Sequence, residues 1–144
     1  MSAKAGHKIM VIDDDANVLA SVKRMLERQG YEVAVHDGEA GCFKEVTRFK
    51  PDLVLIDVNM PFLSRDAFVS LFGQCPTMAE SSIVLYSAID DSELQRKARE
   101  CNADGYISKT ESSLEFARKI ACFLRKDYLS VNSKAAERAP DSAR

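Results

Sequence analysis

Five short apolar runs recur along the chain at helix-sized intervals: IMVI (9–12), VAV (33–35), LVLI (53–56), IVLY (83–86) and YIS (106–108). They are continuous rather than alternating, and rich in valine and isoleucine. A strand with one wet face alternates apolar and polar residues; a strand covered on both faces does not. The runs therefore predict a parallel sheet with helices on each side. The intervals carry helical patterns. Val18, Leu19, Val22, Met25 and Leu26 form one face, with Gly30 as the residue past its end. Phe43, Val46 and Phe49 mark a second helix; Phe68, Leu71 and Phe72 mark a third. Leu94, Ala98 and Cys101 give a thin stripe on a fourth, with Ser92 and Gln95 at capping-box spacing. Phe116, Ile120, Phe123 and Leu124 mark a fifth, with a capping box from Ser112 to Glu115. A strand–helix unit repeated five times implies a three-layer α/β domain with right-handed crossovers.

The chain has 144 residues, enough for one domain, and 46% hydrophobic residues, enough for one core. A net charge of −2 argues against a general nucleic-acid binder. Cysteines 42, 75, 101 and 122 are scattered, with no C-x-x-C pair and only two histidines, so no zinc spacing is present. They read as small buried residues in a reducing compartment. No apolar run is long enough for a signal peptide or a membrane span, so a soluble, cytoplasmic protein is expected. Residues 1–6 read as a flexible N-terminus and 7–128 as the domain. Residues 129–144 read as a disordered tail or a linker, because they hold almost no large apolar side chain.

Ligands of open α/β sheets bind outside the carboxyl ends of the strands. Asp13, Asp14 and Asp15 follow the first run, Asp57 the third, Ser87 the fourth and Lys109 the fifth. His36 and Asp37 follow the second and carry less weight. With the first and third strands adjacent, Asp13, Asp14 and Asp57 crowd one space. Each carboxylate would raise the pKa of the others unless a cation intervenes. Mg²⁺ takes oxygen ligands and keeps several waters, so two or three carboxylates suffice. Lys109 adds a second positive charge and Ser87 a hydroxyl. This set suits a phosphoryl group placed on an aspartate, whose carboxylate is a competent nucleophile toward phosphorus. It explains why an apolar run ends on the carboxylate of Asp57. Asp15, Asp37 and Asp91 are read instead as caps or turn residues.

The segments VIDDD (11–15), LVLIDVNMP (53–61), LYSA (85–88) and DGYISK (104–109), in this order and spacing, resemble the receiver domain of bacterial two-component response regulators. The resemblance implies a flavodoxin-like (βα)5 fold with a parallel five-stranded sheet of order 2-1-3-4-5. It implies that Asp57 is the phosphoacceptor. Asp14 is then a direct Mg²⁺ ligand, Asp13 holds metal-bound water, and Asp57 and the backbone carbonyl of Asn59 complete the protein ligands. Ser87 and Lys109 bind the phosphoryl oxygens. Tyr106 resembles the aromatic switch residue, expected half-buried at rest with its hydroxyl in water. The implied donor is a sensor histidine kinase or a histidine phosphotransfer protein. The implied target surface is the fourth helix, fifth strand and fifth helix, and the resemblance allows a homodimer on phosphorylation.

Three features depart from the family pattern. Thr110 follows Lys109 where a proline, typically after a cis bond, is usual. A cis bond before a non-proline residue costs about 3–4 kcal/mol, so a trans bond is expected. The segment PFLSRDAF (61–68) lacks the usual glycines and puts Phe62 and Leu63 by the site. Asn59 and Ile89 occupy positions that tune dephosphorylation in the family.

The leading reading is a phosphorylation switch that loses its phosphoryl group by its own Mg²⁺-assisted hydrolysis. It would be either a stand-alone receiver or one domain of a longer regulator, regulatory rather than enzymatic. The alternative is a phosphorylation-independent pseudo-receiver that acts as a binding module. A phosphatase of the haloacid-dehalogenase type would need an acid two residues after the nucleophile, where Asn59 stands. Neither G-x-G-x-x-G nor G-x-x-x-x-G-K-[ST] occurs, which argues against dinucleotide and P-loop proteins.

Overall fold

The computed structural model describes residues 6–38, 41–58 and 80–126. The elements run β1 (Lys8–Ile12), α1 (Ala16–Arg28), β2 (Glu32–His36), α2 (Cys42–Phe49), β3 (Leu53–Ile56), β4 (Ser82–Ser87), α3 (Asp91–Glu100), β5 (Gly105–Ser108) and α4 (Ser113–Leu124). The helix expected around Phe68–Phe72 lies outside the described residues, as do Asn59, Phe62, Leu63, Cys75, residues 1–5 and the segment 127–144. Helices α3 and α4 are thus the fourth and fifth helices read from the sequence.

All five strands pair in parallel in the order β2-β1-β3-β4-β5. This is the expected flavodoxin-like topology. The strands are continuous in sequence because both faces are covered. On one face Met10, Ile12, Val54, Ile56, Ile83 and Leu85 pack with Val46, Leu94 and Ala98. On the other Ile9, Val11, Leu53, Leu55 and Val84 pack with Val22, Leu26, Phe116 and Ile120. Burying two faces of one sheet in this way removes most of the large side chains from water, which is the dominant favourable term in folding.

Helix ends follow local chemistry, with some departures. Asp15 caps α1, accepting from the N–H groups of Asn17 and Val18 at 2.9 and 3.4 Å. Gly30, at φ 97°, turns the chain out of α1 as expected. Ser112 caps α4 by accepting from Glu115 N–H at 3.1 Å. The reciprocal half of that box is replaced, because the Glu115 carboxylate pairs with Arg118. At α3 the cap is Asp90 rather than Ser92, and Asp91 is the first helical residue. A carboxylate one step upstream of a run of helix formers outcompetes the serine for the first free N–H groups. In α2 the buried face is Cys42 and Val46 with Phe49 partly covered, while Phe43 is exposed. Cys42, Cys101 and Cys122 are buried free thiols, as read from their scatter.

Candidate functional site

The register puts the acidic residues at one height. Ile12 pairs with Ile56 across β1 and β3, so Asp13 and Asp57 leave adjacent strands side by side. Backbone bonds then fix each site residue to its neighbouring strand. Asp13 N–H donates to His36 O at 3.1 Å, Asp57 N–H to Ile12 O at 3.0 Å, and Lys109 N–H to Ser87 O at 2.8 Å. The end of β2 therefore supports the site through the His36 carbonyl, while Nδ1 of the His36 ring accepts from Gly38 N–H at 2.9 Å.

Asp13 is 1% exposed and Asp57 6%, whereas Asp14 is exposed. One oxygen of Asp13 accepts from Asp15 N–H at 2.9 Å, which fixes the carboxylate plane. The other lies 2.8 Å from Lys109 Nζ. That contact is an ion pair by distance, yet its angles fall short of a hydrogen bond, so a buried oxygen is left without a directed donor. Lys109 Nζ also donates to Asp57 Oδ2 at 3.3 Å. One ammonium thus bridges two buried carboxylates from different strands. Burial alone would lower the Lys109 pKa. Contact with Asp13 and the charge of Asp57 outweigh it, and the pKa is raised.

The Lys109–Thr110 bond is trans, since the described backbone contains no cis peptide. The lysine reaches both carboxylates nonetheless. The loop is held by side chains instead: Ser108 and Thr110 hydroxyls meet at 2.7 Å, Thr110 N–H donates to Ser108 Oγ, and Lys119 pairs with Glu111 at 2.6 Å.

Ser87 is fully buried at the end of β4, where its Oγ accepts from Ile89 N–H at 3.3 Å. Tyr106 is only 5% exposed and belongs to the core with Leu85, Leu94 and Ala98. The residue expected from the sequence to be half-buried is thus buried. Tyr106 pairs in register with Leu85 and so shares its face of the sheet, which α3 closes over. Sequence reasoning also missed Tyr86, whose ring lies 5.6 Å below Lys109 Nζ. Alternation along β4 places it opposite Leu85, but no motif announces that it reaches the lysine.

Asp13, Asp14 and Asp57 each offer a ligand oxygen, and these atoms lie within 4.8 Å of one another. Two buried carboxylates, one exposed one and an undonated buried oxygen fit a hard divalent cation. No helix among the described residues is long and apolar enough to cross a membrane.

A family model described as the response regulator receiver domain matches residues 9–121. The chain belongs to the response regulator receiver domain family. Receiver domains are regulatory parts of two-component systems, which work with histidine kinases or phosphotransfer proteins. Among curated relatives, the Bacillus subtilis transcriptional regulatory protein YvcP is 32% identical over 122 residues, covering 85% of this chain and 50% of YvcP. The Mycobacterium tuberculosis transcriptional regulatory protein PrrA is 29% identical over 120 residues, covering 83% of this chain and 50% of PrrA. The chain therefore spans about half the length of the curated relatives it matches. Among solved structures, the beryllium trifluoride-activated receiver domain of Klebsiella pneumoniae RstA superposes with a TM-score of 0.72 at 27% identity, covering 83% of this chain and 99% of that one. The Vibrio cholerae chemotaxis protein CheY4 matches with a TM-score of 0.71 at 19% identity, covering 81% and 97%, which speaks for the fold alone.

Proposed function

We propose that this receiver is a phosphorylation switch whose phosphoacceptor is Asp57. The observation that carries the reading is the Lys109 ammonium held between Asp13 and Asp57, at 2.8 and 3.3 Å, at the carboxyl end of the sheet. An ion pair kept only for stability gains little from burying two carboxylates against one lysine, with the third carboxylate of Asp14 beside them. The arrangement is better suited to a site that receives further negative charge.

A Mg²⁺ ion, held by Asp14, Asp57 and the Asn59 carbonyl with Asp13 on its bound water, would supply charge neutralisation for the phosphoryl oxygens. The protein's own groups do the rest. Asp57 Oδ attacks the phosphorus of a phosphohistidine on a kinase or phosphotransfer protein. The new O–P bond forms as the P–N bond breaks, and the imidazole leaves and takes a proton from solvent. Lys109 exchanges its contact with Asp57 for one with a phosphoryl oxygen, and the Ser87 hydroxyl donates to another. Hydrolysis by water then releases phosphate and restores the carboxylate. Ser87 and Tyr106 lie on β4 and β5, so a shift of the serine toward the phosphate changes the packing under α3. The target surface is α3, β5 and α4, with a homodimer as one way of using it.

The domain is assigned to residues 7–128 and the protein to the cytoplasm. Relatives of twice the matched length support a receiver within a longer regulator as much as a stand-alone one. The test is intact-protein mass spectrometry after incubation with acetyl phosphate. A single phosphoryl adduct that needs Mg²⁺ and vanishes in Asp57→Ala supports the switch. No adduct and no Mg²⁺ binding would favour the pseudo-receiver.

A further inference from the structure

Lysine is a poor choice for a fixed charge, because its four-carbon stem has many rotamers and its ammonium prefers water. Lys109 nevertheless sits at a defined point between two carboxylates of different strands. The Asp13 contact is misaligned and the Asp57 contact is long, so these bonds alone do not explain the fixed position. A third neighbour does. The Tyr86 ring is 9% exposed and its centroid lies 5.6 Å from Lys109 Nζ, within the range of a cation–π contact. The ring is itself held, since it packs on Phe116 of α4 at 5.4 Å between centroids and 47° between planes. Phe116 is 2% exposed and belongs to the core on that face.

We propose that Tyr86 is a positioning residue for Lys109: its ring, braced by Phe116, forms the wall that confines the ammonium to the space between Asp13 and Asp57. The inference rests on the reading of Lys109 as the phosphoryl-binding cation. The phenol stays neutral in ordinary buffers, because burial raises its pKa, Lys109 opposes that in part, and Asp13 adds to it. A neutral ring keeps the electron-rich face that attracts a cation. The ring lies on the sheet face opposite Tyr106, so Lys109 is braced from the α1–α4 side while the switch residue lies under α3.

The test compares Tyr86→Leu with Tyr86→Phe. The probe is beryllium trifluoride, which stands for the phosphoryl group on the acceptor carboxylate, and its affinity is measured with Mg²⁺ saturating. The leucine variant is expected to bind the probe roughly three- to ten-fold more weakly, the range of one part-buried cation–π contact. The phenylalanine variant should bind like the wild type, and neither should bind Mg²⁺ more weakly. A merely structural tyrosine would lower stability without separating anion from metal affinity. Equal probe affinity in all three proteins overturns the proposal, and so does an equal loss in both variants, which would assign the effect to the hydroxyl. Should the leucine variant fail to fold, the wild type still decides. The Lys109 methylene protons beside the ammonium should show an upfield ring-current shift by NMR, and an unshifted Lys109 overturns the proposal. A wild type that binds Mg²⁺ but never the probe would instead refute the phosphorylation reading itself, and with it this inference.

Discussion

Replacing Lys109 by methionine keeps the stem and removes the charge. Asp13 and Asp57 are then left facing each other with no cation between them. Removing one partner of a fully buried ion pair costs about 3–5 kcal/mol. Here the lysine side chain is 20% exposed and Asp14 is open to solvent, so water offsets part of that loss. The expected destabilisation is about 2 kcal/mol. With a urea slope of about 2 kcal/mol per molar, the unfolding midpoint falls by roughly 1 M. Mg²⁺ should reverse the effect. A ligand that binds only the folded state at a hundred times its Kd adds about 2.7 kcal/mol. The variant should gain more than the wild type at equal Mg²⁺, because no ammonium repels the ion. Urea titrations of both proteins, in EDTA and in Mg²⁺, measure all four midpoints. An unchanged midpoint in EDTA, or a smaller gain from Mg²⁺ in the variant, would refute the idea that Lys109 is the resting counter-ion of this cluster.

Asp15→Ala removes the side-chain acceptor for two N–H groups of α1 and should cost about 1 kcal/mol, read as a lower urea midpoint. Hydrogen exchange should be faster in α3 than in α1. Among its helical residues α3 buries Leu94 and Ala98, whereas α1 buries Val22 and Leu26 and adds Val18, Leu19 and Met25 as partly covered contacts. Equal protection would count against a loosely anchored α3. Burial pushes the Cys101 thiol up from 9.0 to about 11. The folded state therefore keeps a proton that the unfolded state loses first. Stability from this group is full below pH 9 and falls as pH rises toward 11. The difference between wild type and Cys101→Ala should show that slope, and a flat difference would contradict the burial account.

The strands were legible because burial on both faces leaves a continuous apolar run, a pattern that few alternatives share. The observed strands bracket all five runs, each within a residue or two. The acidic cluster was legible for a related reason: in a parallel sheet every strand end points the same way, so residues after different runs meet. Side-chain geometry was less so. The position of Phe43 on α2 and the choice of Asp90 as cap turn on one or two residues of helical phase, which periodicity over eight or ten residues does not resolve. The burial of Tyr106 depends on how closely α3 folds back over β5, a packing detail that neither the strand pattern nor the resemblance specifies. The trans bond at Thr110 followed from its intrinsic cost. The Ser108–Thr110 and Glu111–Lys119 contacts that hold the loop had no signature. Tyr86 was hidden because an aromatic in a buried strand is ordinary, and only the fold reveals that its ring lies below Lys109.

The measurement that bears most directly on the central claim is chemical location of the phosphoryl group. Borohydride reduces an acyl phosphate to an alcohol, turning a phosphorylated aspartate into homoserine. The protein treated with acetyl phosphate and Mg²⁺, then reduced and mapped by peptide mass spectrometry, should carry homoserine at position 57 alone. Homoserine at position 13 or 14, or an adduct that resists reduction, would contradict the assignment of Asp57 as the phosphoacceptor.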